Sequence, residues 1–97
     1  MYIDRHPVKN SADSVELNCF SLMNEDMDYS FIVPASHADI ATAALLAGDS
    51  AWWADEGTGE WWGIPHPECL EMRLQEAGVP YEIRYNGADG RKENEYA

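Results

Sequence analysis

Alternating apolar and polar positions predict the strands of this chain. From Val15 to Leu22 the apolar residues Val15, Leu17 and Cys19 alternate with Glu16 and Asn18, which is the period of a half-buried strand. Residues 24–28 are too polar to continue it, whereas residues 29–33 predict a second strand. The short connection favours an antiparallel hairpin. A last strand is expected from Tyr81 to Tyr85, where apolar and charged residues again alternate.

Apolar residues at helical spacing predict two helices. The first is expected after Ser36 and Asp39, which resemble a capping box, and Gly48 stands where a helix would end. The second is expected to begin at Pro67 and to end at Gly78. The residues expected to face inward are Ile40, Ala43, Ala44, Leu45, Leu70, Leu74 and Ala77.

Two adjacent tryptophan pairs complete the predicted fold. Trp52-Trp53 and Trp61-Trp62 flank a segment with two glycines, which favours a second hairpin with one ring of each pair facing inward. The class is therefore α+β, a mainly antiparallel sheet of about five strands with two helices, in the order β-β-α-β-β-α-β. We expect one domain over residues 1–97, with an irregular lead-in at 1–13 that holds at most a short strand at Tyr2-Ile3, and a frayed tail at 88–97.

The charge of the chain narrows its possible partners. The chain has 18 acidic and 6 basic residues, a formal net charge of −12, and no Lys or Arg between Lys9 and Arg73. Direct binding to nucleic acid or to anionic lipid is therefore excluded as a main function. The sequence has no apolar run of membrane-spanning length and no signal-peptide pattern, so we expect a cytoplasmic protein.

The residues with reactive side chains do not form a catalytic or metal-binding motif. His6, His37 and His66 lack metal-ligand spacing, and the last two lie near predicted helix starts, where capping explains them. Cys19 and Cys69 are far apart and are interpreted as reduced thiols. We predict no enzyme activity, no metal and no cofactor.

The acidic surface and the tryptophans each have two alternative interpretations. Carboxylates without interleaved cations could serve solubility alone or could replace the phosphates of a nucleic acid. The tryptophans could fill the core or form a recognition surface. As partner-binding residues we select Glu25, Asp26, Asp28, Asp55, Glu56, Glu60, Trp53 and Trp62.

The size, the acid-rich stretch from Asp13 to Glu71 and the α+β pattern resemble those of acidic anti-CRISPR proteins of the DNA-mimic type. This resemblance implies a phage-encoded stoichiometric inhibitor that covers the DNA-binding surface of a bacterial defence complex, with a type I CRISPR surveillance complex as the first choice. An alternative is an antitoxin or immunity protein that covers a basic nuclease. A further alternative, a sugar-binding module that uses the tryptophan pairs, predicts binding with little salt dependence.

Overall fold

The described part of the chain folds into a four-stranded antiparallel sheet with two helices between its last two strands. The computed structural model describes residues 1–21, 24–55 and 64–85, and for residues 24–27 it describes the backbone alone. The elements are β1 (Tyr2–Val8), β2 (Ser11–Ser21), β3 (Asn24–Pro34), a 3-10 helix (Ala35–His37), α1 (Ala38–Asp55), α2 (Pro67–Glu76) and β4 (Glu82–Tyr85). The predicted α+β class, antiparallel sheet and two helices are confirmed.

Strand β1 extends well beyond the short strand considered at Tyr2-Ile3 and occupies most of the predicted irregular lead-in, so the irregular lead-in is wrong. It pairs antiparallel with β2, from Tyr2 opposite Phe20 to Pro7 opposite Val15. The two strands are joined through Asn10, whose φ of 64° is a left-handed conformation that Asn tolerates. Among the described strands β1 lies at the edge of the sheet, where proline is accepted and most side chains are exposed. It therefore lacks the apolar alternation that would have revealed it.

Strand β3 begins before the residues that predicted it. It starts at Asn24 and pairs with β2, with Ser21 opposite Asn24 and Asp28 opposite Phe20. The ladder is made by backbone groups, so polar side chains do not prevent it. The predicted hairpin between these two strands is confirmed, but the expectation that residues 24–28 leave the strand is wrong.

The core lies between one face of the sheet and the two helices. The rings of Tyr29 and Phe31 on β3 meet edge to face at 5.7 Å, and the ring of Tyr81 packs edge to face against Phe31 at 5.8 Å. The Tyr29 hydroxyl donates a hydrogen bond to the carbonyl of Pro65, which fixes the segment before α2 to the sheet. The fully buried members of the core include Leu17, Cys19, Phe31, Ala41, Leu45, Ile64, Leu70 and Leu74.

Helix α1 turns only part of the predicted face inward: Leu45 is buried and Ala44 packs against the core, as predicted, but the other predicted residues do not. Ala38, Ala41, Leu45 and Gly48 are buried, whereas the predicted core residue Ile40 is 53% exposed. Ala43, also predicted to face inward, is exposed. The helix is apolar on almost every side, so its periodicity indicates no single inward face.

Helix α1 also continues past the glycine that was expected to end it. Gly48 lies inside the helix at the crossing with α2, where an added Cβ would be 2.9 Å from both Arg73 Cγ and Leu70 Cδ2. Trp52 and Trp53 lie in the last turns of the same helix. The predicted strand at this pair is therefore wrong, and the described sheet has four strands instead of five. Trp61 and Trp62 lie outside the described residues.

The ends of helix α2 agree with the prediction. His66 is its N-cap, and Nδ1 of His66 accepts a hydrogen bond from the backbone N–H of Glu68 at 3.3 Å. Pro67 follows in the first turn, and Gly78 beyond the helix has a φ of 72°. Ala77, which was expected to face inward, is exposed because the helix ends at the preceding residue.

Candidate interaction surface

The face of the sheet turned away from the helices is polar and internally hydrogen-bonded. The Ser30 hydroxyl donates to Oε2 of Glu16 at 2.6 Å, and Nδ2 of Asn18 donates to the Ser30 oxygen at 3.1 Å. On β4, Arg84 Nε lies 3.5 Å from Oε1 of Glu82. The two Ser30 hydrogen bonds link β2 to β3 through side chains of this face, and one of them is accepted by the Glu16 carboxylate. The Arg84–Glu82 pair lies within β4.

Asp28 does not belong to an exposed acidic loop, as the sequence analysis expected. It lies in β3 opposite Phe20, and only 5% of its surface is exposed. The chain is a strand at this position, so the Asp28 carboxylate is buried at the sheet and is not presented to a partner as it would be in a loop. The side chains of Glu25 and Asp26 lie outside the described residues.

Two side-chain ion pairs involve half of the Lys and Arg residues in the described part of the chain. Arg84 pairs with Glu82, as noted, and Arg5 Nη2 on β1 lies 2.8 Å from Oδ1 of Asp39 at the start of α1. The second pair joins the edge strand to the helical layer, but the Asp39 side chain is 96% exposed. Exposed pairs of this kind contribute about 0–1 kcal/mol each, so they give the fold little stability.

A set of exposed carboxylates has no ion pair within the described residues. Its members lie on both layers, at the strand β1, at the start of β2 and on the two helices. We call them the unpaired acidic set: Asp4, Asp13, Asp55, Glu68 and Glu76. These carboxylates are solvated and repel one another, and the fold leaves them available to an external cation.

Asp55 lies at the C-terminus of helix α1, which is the negative end of the helix dipole. It is the last residue of the helix, it is exposed, and the last turn contains no basic residue. The free carbonyls of a helix C-terminus carry a partial negative charge, so a carboxylate there costs about 0.3–1 kcal/mol. This residue was predicted as part of the site, and the structure does place it at the surface. Its predicted neighbours Glu56 and Glu60 lie outside the described residues.

Trp53 is not the outward anchor that was predicted. It is half-buried in α1, and its indole Nε1 donates to Oδ1 of Asp49 one turn earlier, at 2.9 Å. Its polar atom is thus satisfied within its own helix. The other predicted anchor, Trp62, lies outside the described residues.

A groove between the two helices was not expected from the sequence. Its volume is about 130 Å³, close to the ~150 Å³ of a protein cavity that holds one benzene molecule. The signal that could have revealed it is Gly48, since a glycine inside a helical pattern often marks close packing. The groove is lined by Gly48, Ala51, Trp52, Asp55, Cys69, Met72 and Arg73.

Three titratable groups in the described residues have a shifted pKa, and in each the pKa is raised further above neutral pH. Burial raises the pKa of the Cys19 thiol, and the charge of Asp49 adds to the effect. Burial likewise raises the pKa of the Tyr29 hydroxyl. Desolvation raises the pKa of Tyr81, whose hydroxyl donates to Oε1 of Glu71 at 2.9 Å. These groups remain protonated and uncharged at neutral pH.

Neither a metal cluster nor a membrane span is present in the described ranges. No three His, Cys, Asp or Glu side chains among residues 1–21, 28–55 and 64–85 are arranged to hold a metal ion. Neither described helix combines the length and apolar character needed to cross a bilayer. The chain matches no known family model, no curated protein and no solved structure.

Proposed function

We propose that this protein is a stoichiometric inhibitor that occupies a positively charged nucleic-acid-binding surface of a bacterial defence complex, and that its target is a type I CRISPR surveillance complex. The observation that carries the proposal is the unpaired acidic set. In the described residues, exposed carboxylates on both helices and on the sheet have no ion pair of their own. A groove lined with Lys and Arg supplies the cations that this fold lacks.

Long-range attraction gives such a protein its rate of association. A net charge of −12 on 97 residues attracts a basic groove over about 10 Å at 0.1 M salt, and less at higher salt. Electrostatic steering of this kind raises association rates from about 10⁵–10⁶ to as much as about 10⁸–10⁹ M⁻¹s⁻¹. We therefore expect inhibition that is rapid at low salt and slower at moderate salt.

The spacing of the carboxylates limits how much of a nucleic acid the protein can replace. Glu68 and Glu76 are eight positions apart on α2, which corresponds to about 12 Å along the helix. A DNA strand carries one phosphate per ~3.4 Å of axis, so the acidic set is sparser than a phosphate backbone. We expect the carboxylates to form ion pairs with some of the Lys and Arg residues in the target groove. The bulk of the protein would then exclude DNA from the groove sterically.

The proposal involves no turnover. The thiol of Cys19 and the hydroxyl of Tyr29 lie in the core with raised pKa values, which disfavours them as nucleophiles or bases. An inhibitor of this kind acts at about one copy per site, whereas an enzyme acts at catalytic amounts.

The proposal is tested by measuring target-DNA binding of a purified type I surveillance complex while this protein is titrated, at low and at moderate salt. We expect DNA binding to be lost at about one copy per complex, with weaker inhibition as the salt concentration rises. Unchanged DNA binding at every ratio would overturn the CRISPR target. It would favour the alternative of a basic nuclease toxin, for which the assay is rescue of a cell that expresses the nuclease.

Two double variants with equal charge change locate the surface. Asp55→Lys/Glu68→Lys alters the helical layer, whereas Asp4→Lys/Asp13→Lys alters the sheet side. The helical pair is also balanced for stability, because Lys is favourable at the C-terminus of α1 and unfavourable at the N-terminus of α2. We expect the helical pair to abolish inhibition and the sheet pair to slow association only. Equal loss in both variants would show that net charge alone acts and would remove the helical layer as the docking surface.

A further inference from the structure

Helix α1 carries a second apolar face that points away from the core. Ile40 is 53% exposed and Leu46 is 46% exposed, although both have side chains typical of a protein interior. The helix has no charged residue between Asp39 and Asp49. We call this exposed face the α1 ridge; its residues are Ile40, Ala43, Leu46, Ala47, Ser50 and Ala54.

The α1 ridge continues into the groove between the helices. Ala51 lines the groove from α1, and Met72 lines it from α2 and is 50% exposed. A surface helix normally has one apolar face, which packs on the core, and one polar face in solvent. A helix with two apolar faces is typical of one that also packs against a second element or a partner. The ridge and the groove together form one strip that is mainly apolar along α1 and is bordered by Asp55 and Arg73 at the groove, with a recess the size of a single large side chain.

The charges around this strip select the occupant. Asp39 lies near one end of the ridge and Asp55 near the other, about 24 Å apart along the helix axis. Glu68 and Glu76 are exposed on the neighbouring helix, and Arg73 is the only Lys or Arg in α1 and α2. A second copy of this chain would bring two charges of −12 together, and an anionic membrane would be repelled.

We propose that the α1 ridge and the groove bind one amphipathic helix of a positively charged protein, with a large apolar side chain of that helix entering the groove and its Lys or Arg residues facing Asp55 and the α2 carboxylates. The alanines of the ridge allow the two helix axes to approach to about 8 Å. The apolar strip supplies a contact that salt does not screen, whereas the carboxylates supply attraction that it does. This inference rests on the proposed function only for the sign of the partner's charge.

The test uses a synthetic peptide of about 18 residues, which is ~27 Å long as a helix. The peptide carries Leu at helical spacing and Lys elsewhere, and its affinity is measured by calorimetry while amide shifts of the protein locate the contact. We expect shifts confined to α1 and to residues around Met72. A permuted peptide of the same composition without an apolar face, and a Leu/Glu peptide, are expected to bind at least about tenfold more weakly.

Protein variants separate the ridge from the rest of the surface. Ile40→Ser/Leu46→Ser removes the two large exposed side chains and is expected to weaken binding by about 10- to 100-fold, because each loses roughly half of a buried-side-chain contribution. Tyr85→Ser is the matched control, since Tyr85 is 59% exposed and belongs to β4, at an edge of the described sheet, and not to α1 or α2. It should change the affinity by less than about twofold. All of these side chains are exposed, so circular dichroism should show unchanged folding.

Each outcome separates this inference from the proposed function. Equal binding by the permuted peptide, an undisturbed affinity in the Ile40→Ser/Leu46→Ser variant, or amide shifts on the sheet would overturn the ridge as a docking site. If that variant inhibits a surveillance complex as well as the parent, the ridge is excluded as the contact with that complex while the proposed function stands. If the peptide binds the ridge and no surveillance complex is inhibited, the proposed function fails and the ridge stands.

Discussion

Gly48→Ala tests whether α1 and α2 are in contact at the bottom of the groove. In an isolated helix this change stabilises by about 1 kcal/mol, because alanine has the higher helix propensity. At this position, however, the added Cβ would lie 2.9 Å from Leu70 Cδ2 and 2.9 Å from Arg73 Cγ. Leu70 is fully buried and cannot move without disturbing the core, whereas the stem of Arg73 is partly exposed.

The two effects oppose each other, and their sizes decide the sign. Forcing an extra methyl group into a packed site costs about 1–3 kcal/mol, and the propensity gain returns about 1 kcal/mol. We therefore expect the free energy of unfolding to fall by about 1 kcal/mol, which corresponds to a decrease in Tm of about 4–8 °C for a domain of this size. The measurement is urea unfolding followed by circular dichroism.

Ser50→Ala is the matched control, because Ser50 is exposed two residues further along the same helix. It should gain up to about 0.5 kcal/mol from propensity alone. In a Leu70→Ala background the main obstacle is gone, so Gly48→Ala should become neutral or stabilising. A Gly48→Ala protein that is stabilised as much as the Ser50→Ala protein would refute the close crossing and with it the shape of the groove.

Three further predictions concern the core. Tyr29→Phe removes the donor to the Pro65 carbonyl and should lower the free energy of unfolding by about 1–3 kcal/mol in urea titrations; an unchanged value would mean that this hydrogen bond has no net role. Stability should fall as pH rises above about 9, because Cys19 and Tyr29 keep their protons when folded, while the unfolded chain releases them at the ordinary pKa values of 9.0 and 10.0. Each group contributes up to about 1.4 kcal/mol per pH unit, and Cys19→Ala should remove the loss that begins at the lower pH; a flat profile from pH 8 to 11 would contradict the burial of both groups. A thiol reagent should modify half-buried Cys69 in the folded protein and Cys19 only on unfolding, as mass spectrometry can follow; equal rates would place Cys19 at the surface.

Local sequence patterns predicted correctly those elements for which all the local features indicate the same structure. The alternation around Leu17 and Cys19 has the period of a strand, and those residues do lie in the core. The His66-Pro67 start and the Gly78 end of α2 combine several boundary signals, and they are confirmed. Most of strand β1, beyond Tyr2-Ile3, and the early part of β3 were not predicted, because backbone pairing with β2 forms them and their residue pattern shows little sign of it.

The candidate site was predicted less completely than the fold, because exposure and partners depend on tertiary contacts. Asp55 is at the surface as predicted, but Asp28 is buried by the sheet and Trp53 is half-buried beside Asp49. The exposed side chain of Ile40 was expected in the core. The remaining predicted residues, Glu25, Asp26, Glu56, Glu60 and Trp62, lie outside the described side chains.

The sequence by itself determined the charge of this protein, its α+β class and the ends of α2, because net charge is a sum and boundary signals are local. Tertiary structure decided the structural role of Gly48 and which face of α1 is buried. A missing Cβ permits both a helix end and a close crossing, and only the position of α2 distinguishes them. A helix that is apolar on almost every side has no preferred face until a sheet covers one of them, and an uncovered face is the α1 ridge.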